Sequence, residues 1–214
     1  MELYGKKVNF LGDSITAGCC ASSPDLGYVN LLKEKCRLSE ARNYGIGGTR
    51  IARQQRPSAQ VEYDADFCSR VHLMDPDADV IVVFGGTNDH GHGDAPMGTN
   101  VDRTPDTFYG ACHFLFQFLN ENYPKTTIVV LTPLHRVEDN MPKENGGWIL
   151  KDYVDAIRYT ANRFQLPILD LFKDSQLQIQ NPDIASKFTT DGLHPNDAGH
   201  AILAEEIHAF LKSL

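Results

Sequence analysis

The chain lacks any apolar run long enough to cross a membrane. Lys6 and Lys7 precede only the short apolar run at residues 8–11, whereas a membrane helix needs about 20 apolar residues and a secretory signal at least about seven. We therefore expect a cytoplasmic protein with no membrane partner. A signal segment removed earlier would leave no trace in this sequence.

The cysteine patterns of disulfide frameworks and zinc sites are also missing. The chain has five cysteines, an odd number, and no Cys-x-x-Cys spacing. Free thiols in a reducing compartment and no structural metal are therefore expected. Cys19 and Cys20 follow Ser14 closely and could line a pocket, but we favour a buried, space-filling role because free cysteines are usually buried.

Positive charge is scarce. The formal net charge is −8, so a nucleic acid would be repelled on average and is not an expected partner. The densest basic stretch contains Arg50, Arg53 and Arg56. Their three-residue spacing predicts the solvated face of a short helix rather than a binding patch.

Apolar runs typical of buried strands alternate with longer helical patterns. Hydrophobic residues make up 42% of the 214 residues, enough for one sizeable core. No Asn-Gly hairpin turn joins alternating strands, and no linker or repeat interrupts the chain. We therefore predict one α/β domain over residues 1–214, with a mostly parallel sheet of about five strands and helices on both faces, in three layers.

The predicted elements follow from the spacing of apolar residues. Strands are expected at residues 7–12, 41–46, 78–84, 126–131 and 166–169. Helices are expected at residues 27–38, 105–122, 148–164 and 196–211. Residues 49–74 are predicted to be helical near both ends, and residues 90–102 and 135–147 to form long polar loops.

Ser14 stands where the first predicted strand ends. Gly12 closes the apolar run, and parallel α/β sheets bind ligands at the carboxyl ends of their strands. The Ser14 hydroxyl is therefore a candidate nucleophile, although Gly-Asp-Ser alone also suits a helix cap. Three other predicted strand ends carry polar or glycine-rich segments: residues 47–48, 86–89 and 132–133.

An aspartate and a histidine stand three residues apart near the C-terminus. On one turn the Asp191 carboxylate can accept the Nδ1 proton of His194, which leaves Nε2 free as a base. An isolated Asp-x-x-His more often belongs to an ordinary loop. Its occurrence in one chain with Ser14, Gly48 and Asn88 at strand ends favours a catalytic role.

Taken in order, these segments resemble the motif blocks of the SGNH hydrolase superfamily, also called the GDSL lipases and esterases. The segments that resemble the four blocks are residues 12–16, 43–49, 86–89 and 191–195. No Gly-x-Ser-x-Gly elbow surrounds Ser14, which counts against an α/β-hydrolase. The resemblance implies a flavodoxin-like SGNH fold and ester hydrolysis through a Ser14 acyl-enzyme, with His194 as base, Asp191 orienting it, and no cofactor or metal.

The resemblance also implies an oxyanion hole. Its donors would be the N–H groups of Ser14 and Gly48 and the side-chain amide of Asn88. Gly47 takes the place of Gly48 if the second block is shifted by one residue. Asp13 is expected to brace the loop through backbone hydrogen bonds rather than to take part in the chemistry.

Substrate selection is expected to depend on the two long loops, with His90, His135 and Trp148 at the pocket. These loops are polar and show no apolar lid. They favour a small-molecule substrate with a short acyl chain, an acetylated sugar among the candidates, over a long-chain lipid. A lysophospholipase or thioesterase of the same superfamily stays open, as does the oligomeric state.

Three other classes of protein share some of these features. The run from Asp89 to Asp94 includes His90 and His92, ligand types that suit a metal-assisted hydrolase, but this interpretation gives Ser14 no role. An FMN-binding module would share the sheet, but it needs a Ser/Thr-rich phosphate loop after the first strand. The loop after the first strand of this chain is not of that kind. The presence of all the catalytic residue types argues against a carbohydrate-binding protein without turnover. Such a protein would need these residues to stand in a distorted site.

Overall fold

A five-stranded parallel sheet forms the centre of the molecule. The computed structural model describes residues 1–143 and 146–214. The strands are β1 Lys7–Gly12, β2 Glu40–Gly45, β3 Val80–Phe84, β4 Thr127–Leu131 and β5 Ile168–Leu169. They lie in the order β2-β1-β3-β4-β5, and every neighbouring pair is parallel. The predicted fold class, a single α/β domain on a five-stranded parallel sheet, is confirmed.

Helices cover both faces of this sheet. They are α1 Ser14–Ala17, α2 Tyr28–Cys36, α3 Phe67–Arg70, α4 Thr87–His92, α5 Phe108–Asn122, α6 Leu150–Arg163, α7 Leu171–Asp174, α8 Pro182–Phe188 and α9 Asp197–Ser213. Apolar residues of α3, α5 and α6 pack in one core cluster, and those of α2 and α9 pack in the other. The result is the three-layer arrangement expected from the alternation of strands and helices.

Alternating residues of the central strands supply the two cores. In β3, Ile81 and Val83 belong to the cluster with α5, whereas Val80 and Val82 belong to the cluster with α9. Every residue of β3 is buried. Such a β-branched run suits a strand covered on both faces, and each fully buried aliphatic side chain stabilises the fold by about 1.5–3 kcal/mol.

The prediction of a short helix that carries Arg50, Arg53 and Arg56 is wrong. Residues 51–60 form bends and irregular backbone, and the first helical turn after them is a 3₁₀ turn at Val61–Asp64. Arg50 is buried rather than solvated. Its guanidinium hydrogen bonds to residues far along the chain, so tertiary contacts, not helix periodicity, determine where this arginine lies.

The long connections differ from the prediction in two further places. The first three residues of the loop predicted at 90–102 belong to α4, and the short helices α7 and α8 fill a stretch that carried no prediction. Residues 144–145 of the loop predicted at 135–147 lie outside the described residues. Within the described ranges, no helix has the length and apolar character to span a membrane.

Candidate active site

The turn after β1 presents Ser14 at the carboxyl edge of the sheet. A Cβ on Gly12 would lie 1.9 Å from the Thr16 Oγ1 and 3.0 Å from the Phe84 carbonyl oxygen, so only glycine fits this close approach. Asp13 caps α1, because its carboxylate accepts a hydrogen bond from the Ile15 N–H at 3.0 Å. These local features place Ser14 as the first residue of α1.

Three side chains from opposite ends of the chain form a hydrogen-bonded series. The Ser14 Oγ lies 2.9 Å from the His194 Nε2, and the His194 Nδ1 lies 2.7 Å from the Asp191 Oδ2. The other oxygen of Asp191 accepts hydrogen bonds from the Leu193 and His194 N–H groups at 3.0 and 2.8 Å. Asp191 therefore fixes both the backbone and the ring of His194.

The Asp191 carboxyl keeps its negative charge despite its partial burial. Partial burial raises the pKa of the Asp191 carboxyl, but hydrogen bonds from the His194 backbone and ring outweigh it and hold the pKa below its ordinary value. An ionised Asp191 accepts the Nδ1 proton. The lone pair of His194 is then on Nε2, which faces the Ser14 hydroxyl.

Gly48 and Asn88 lie beside Ser14 at the next two strand ends. All three residues line the same cavity. Asn88 is buried, and its Nδ2 donates one hydrogen bond to the Thr49 carbonyl at 2.9 Å. Gly48 has φ +73°, and a Cβ there would lie 2.2 Å from the Tyr63 ring. A Cβ on Gly47 would instead lie 3.9 Å from the Ser14 Cβ, an ordinary contact.

Two buried aspartates hold backbone segments beside the site through hydrogen bonds. The Asp89 carboxylate accepts hydrogen bonds from the Ile51 and Ala52 N–H groups, each at 2.9 Å. Burial raises the pKa of Asp89 to about 7, although these two bonds lower it. Burial likewise raises the pKa of Asp13 to about 6, against the Ile15 N–H bond. Both carboxyls support backbone rather than facing a ligand.

The cavity beside Ser14 has a volume of about 610 Å³. One wall comes from the 3₁₀ turn and from the end of α4, which contribute Glu62, Tyr63 and His92. The Tyr63 and His92 rings pack with their centroids 5.4 Å apart. This wall carries polar groups of Glu62, Tyr63 and His92, and of these the sequence patterns had indicated only His92, as a metal-ligand type.

Arg50 joins the two parts of this wall. Its guanidinium donates to the His92 Nδ1 at 3.1 Å, to the Tyr63 carbonyl at 3.1 Å and to the Asp64 carboxylate at 3.0 Å. Because an arginine can only donate, the His92 Nδ1 is the acceptor and the neutral ring carries its proton on Nε2. Burial and the neighbouring Arg50 lower the pKa of His92 and keep the ring neutral.

The three side chains expected at the pocket do not line this cavity. His90 is fully buried, and its Nε2 lies 3.2 Å from the Met141 carbonyl oxygen. His135 pairs with Asp139 and stacks on Phe172, and Trp148 is exposed. His92 takes the position expected of His90, because residues two apart on a helix point in different directions.

Cys19 and Cys20 do not fill the core as expected. Cys19 is exposed and lines the cavity with Ser14, and Cys20 is partly exposed. The turn that follows α1 through Gly18 (φ +86°) brings both thiols to the surface beside His194. Sequence spacing put them near Ser14 but could not show on which side of the turn they lie.

The acidic and histidine residues of the run 89–94 do not converge on one point. Asp89 binds backbone N–H groups, and Asp94 accepts hydrogen bonds from the Gln55 and Arg56 N–H groups at 2.8 and 3.0 Å. His92 faces the Arg50 guanidinium, a poor neighbour for a cation. These contacts do not favour the metal-assisted hydrolase.

The model of one known protein family matches most of this chain. The model of the GDSL-like Lipase/Acylhydrolase family matches residues 10–202. A search of curated proteins finds no match.

Several solved structures are similar over nearly the whole chain. A crystal structure of a protein from Lactobacillus plantarum is 31% identical, covers 98% of each chain and has a TM-score of 0.86. The crystal structure of an acetyl xylan esterase is 26% identical over 95% of this chain and 98% of that chain, with a TM-score of 0.66. A possible lipase from Chitinophaga pinensis shares the fold, at 22% identity, coverage of 97% and 98%, and a TM-score of 0.76.

Proposed function

Since the chain belongs to the GDSL-like lipase/acylhydrolase family and is an ester-hydrolysing enzyme, we propose that Ser14 is its nucleophile and that its substrates are small esters with short acyl chains, acetylated carbohydrates among them. The observation that carries this proposal is the 2.9 Å contact between the Ser14 Oγ and the His194 Nε2 at the cavity. A hydroxyl and a base at this distance can exchange a proton as the oxygen attacks a carbonyl.

The reaction proceeds by acyl transfer in two halves. His194 accepts the Ser14 proton as the Oγ bonds to the ester carbonyl carbon, then gives that proton to the leaving alcohol. In the second half His194 activates water, which releases the acid and restores Ser14. Asp191 holds the ring through Nδ1 and stabilises the imidazolium formed in each half.

The oxyanion of each tetrahedral intermediate would be held by three donors. These are the N–H groups of Ser14 and Gly48 and the second amide proton of Asn88, the first being engaged by the Thr49 carbonyl. Gly48 is a better candidate than Gly47, because its positive φ and its packing against Tyr63 exclude other residues. Such preorganised donors stabilise charge that develops only in the transition state.

The polar side chains that line the cavity support a polar leaving group. Besides Gly47 and Gly48, the cavity is lined by Gln60, Glu62 and His92. Hydroxyl-rich alcohols can hydrogen bond to these side chains, and His92 contributes an Nε2–H donor. The acetyl xylan esterase with 26% identity is in keeping with such a leaving group.

The test compares p-nitrophenyl acetate, butyrate and octanoate, and acetylated xylo-oligosaccharides, with wild-type protein and Ser14→Ala. We expect activity to fall as the acyl chain lengthens, and Ser14→Ala to lower kcat on the order of 10⁴- to 10⁶-fold. Ser39→Ala is the matched control, since Ser39 is exposed before β2, at the opposite edge of the sheet.

Three results would contradict the proposal. Full activity in Ser14→Ala would exclude the serine mechanism, and loss of activity in EDTA would favour a metal-assisted one. A preference for octanoate over acetate would favour the lysophospholipase or thioesterase alternative instead.

A further inference from the structure

Two thiols and His194 share one side of the Ser14 cavity. The Cys19 and Cys20 Sγ atoms lie 3.7 Å apart, and both lie within 4.8 Å of a ring nitrogen of His194. Over residues 1–143 and 146–214, this is the one group of three His, Cys or carboxylate residues whose ligand atoms converge so closely. Because Cys19 is exposed and Cys20 partly exposed, an ion can reach them from solvent.

The separation of the sulfurs suits a tetrahedral metal ion. Zn–S bonds of about 2.3 Å at tetrahedral angles place two thiolate sulfurs about 3.8 Å apart, close to the 3.7 Å between Cys19 and Cys20. An imidazole nitrogen on the same ion would lie about 3.6 Å from each sulfur. Closing the site therefore needs a side-chain movement on the order of 1 Å, within reach of rotation about the Cys and His side-chain bonds.

Asp191 already orients His194 as a metal ligand requires. In zinc sites, a ligating histidine almost always donates its other ring N–H to a carboxylate or carbonyl, which fixes the tautomer and raises its basicity. The His194 Nδ1 lies 2.7 Å from the Asp191 Oδ2. The Nε2 lone pair and the nearby negative charge both favour a cation at this point.

The turn that carries the thiols is held from both sides. The Cys19 N–H donates to the Ser14 carbonyl at 2.9 Å, and the Cys19 carbonyl lies 3.2 Å from the His200 Nε2. The His200 Nδ1 accepts a hydrogen bond from the Tyr28 N–H at 3.3 Å, so its Nε2 carries the proton for Cys19. Cys20 has φ +69°, a strained value for a residue with a side chain. The backbone thus holds adjacent thiols on one side of the turn.

We propose that Cys19, Cys20 and His194 bind a thiophilic divalent cation such as Zn²⁺ and that this cation inhibits the enzyme. The metal takes both sulfurs as thiolates, whose two protons pass to solvent, and bonds to the Nε2 lone pair of His194. His194 can then no longer accept the Ser14 proton. The inhibition rests on the proposed function, whereas the binding does not.

Cobalt and zinc provide separate tests of binding and inhibition. Co²⁺ bound by thiolates gives a charge-transfer absorption in the near ultraviolet, which Zn²⁺ should displace. We expect this absorption in phosphine-reduced wild type and in Ser14→Ala, and its loss in Cys19→Ser and in Cys20→Ser. Cys36→Ala should keep it and is the matched control, since Cys36 is buried at the end of α2.

Inhibition is measured as the Zn²⁺ concentration that halves each variant's own metal-free ester hydrolysis. Losing one thiolate should raise this concentration at least about tenfold, and Cys36→Ala should match wild type. Equal zinc sensitivity in wild type and both cysteine variants, or no thiolate absorption in wild type, would overturn the proposed site. An inactive wild type with a cysteine-dependent absorption would instead refute the proposed function and leave the metal site standing.

Discussion

At the scale of single residues, the orientation of Asn88 is decided by one hydrogen bond. Its amide has two N–H donors, and the Thr49 carbonyl engages one of them at 2.9 Å. Because a carbonyl can only accept, it also decides which end of the Asn88 side chain is the nitrogen. The second N–H donor belongs to the same amide, and Asn88 lines the Ser14 cavity.

Replacing Asn88 by alanine should therefore lower kcat by about 10² to 10³ and change KM little, because the oxyanion exists only in the transition state. Steady-state kinetics on p-nitrophenyl acetate measure both values. Asn122→Ala is the matched control, since Asn122 is exposed and its Nδ2 makes a similar bond to the Phe118 carbonyl at 2.8 Å. An effect of Asn88→Ala on KM alone would contradict the oxyanion role.

At the scale of elements, Arg50 couples the 3₁₀ turn Val61–Asp64 to the end of α4. Its side chain is only 3% exposed, and it donates to Tyr63, Asp64 and His92. Tyr63 and His92 make up part of the cavity wall. The position of that wall relative to Ser14 therefore depends on a buried guanidinium that does not itself line the cavity.

Arg50→Met should keep the aliphatic volume and remove these bonds. We expect a loss of about 1–3 kcal/mol in the free energy of unfolding and a rise in KM larger than the fall in kcat. Urea unfolding and kinetics on short esters measure the two effects. Arg53→Met should change neither the free energy of unfolding nor KM. Arg53 is exposed, and the substitution removes only a surface ion pair in which its guanidinium lies 3.5 Å from the Asp106 carboxylate. An unchanged KM in Arg50→Met would mean that Arg50 serves stability alone.

At the scale of the whole molecule, two buried carboxyls make stability depend on pH. The pKa values of Asp13 and Asp89 are about 6 and about 7 in the folded chain, against about 3.9 for an unfolded aspartate. The folded protein therefore binds more protons than the unfolded chain between these values. The contribution of both groups to the free energy of unfolding falls as the pH rises through this window.

Asp89→Asn should flatten this dependence. The difference in free energy of unfolding between wild type and Asp89→Asn should favour wild type most near pH 4 and shrink as the pH rises through about 7. Urea unfolding of both proteins across this range measures the difference. Parallel stability curves for the two proteins would show that Asp89 does not titrate in this window.

The five strands and the four long helices along the chain, the strand ends and the residues of the hydrogen-bonded series could be predicted from the sequence. β-branched runs, glycines at strand ends and the Asp-x-x-His spacing are local signals, and parallel topology brings strand carboxyl ends to one edge. Ser14, Asp191 and His194 could thus be expected together, although residues 14 and 194 lie far apart in the chain.

The tertiary structure alone decided which side chains surround that series. His92 rather than His90 reaches the cavity, Arg50 is buried, and Cys19 and Cys20 face His194. Each of these positions depends on the direction of a side chain from a short helix or turn, and on partners distant in sequence. Local patterns carry no information on such directions, because contacts between distant segments select among conformations that are locally similar in free energy.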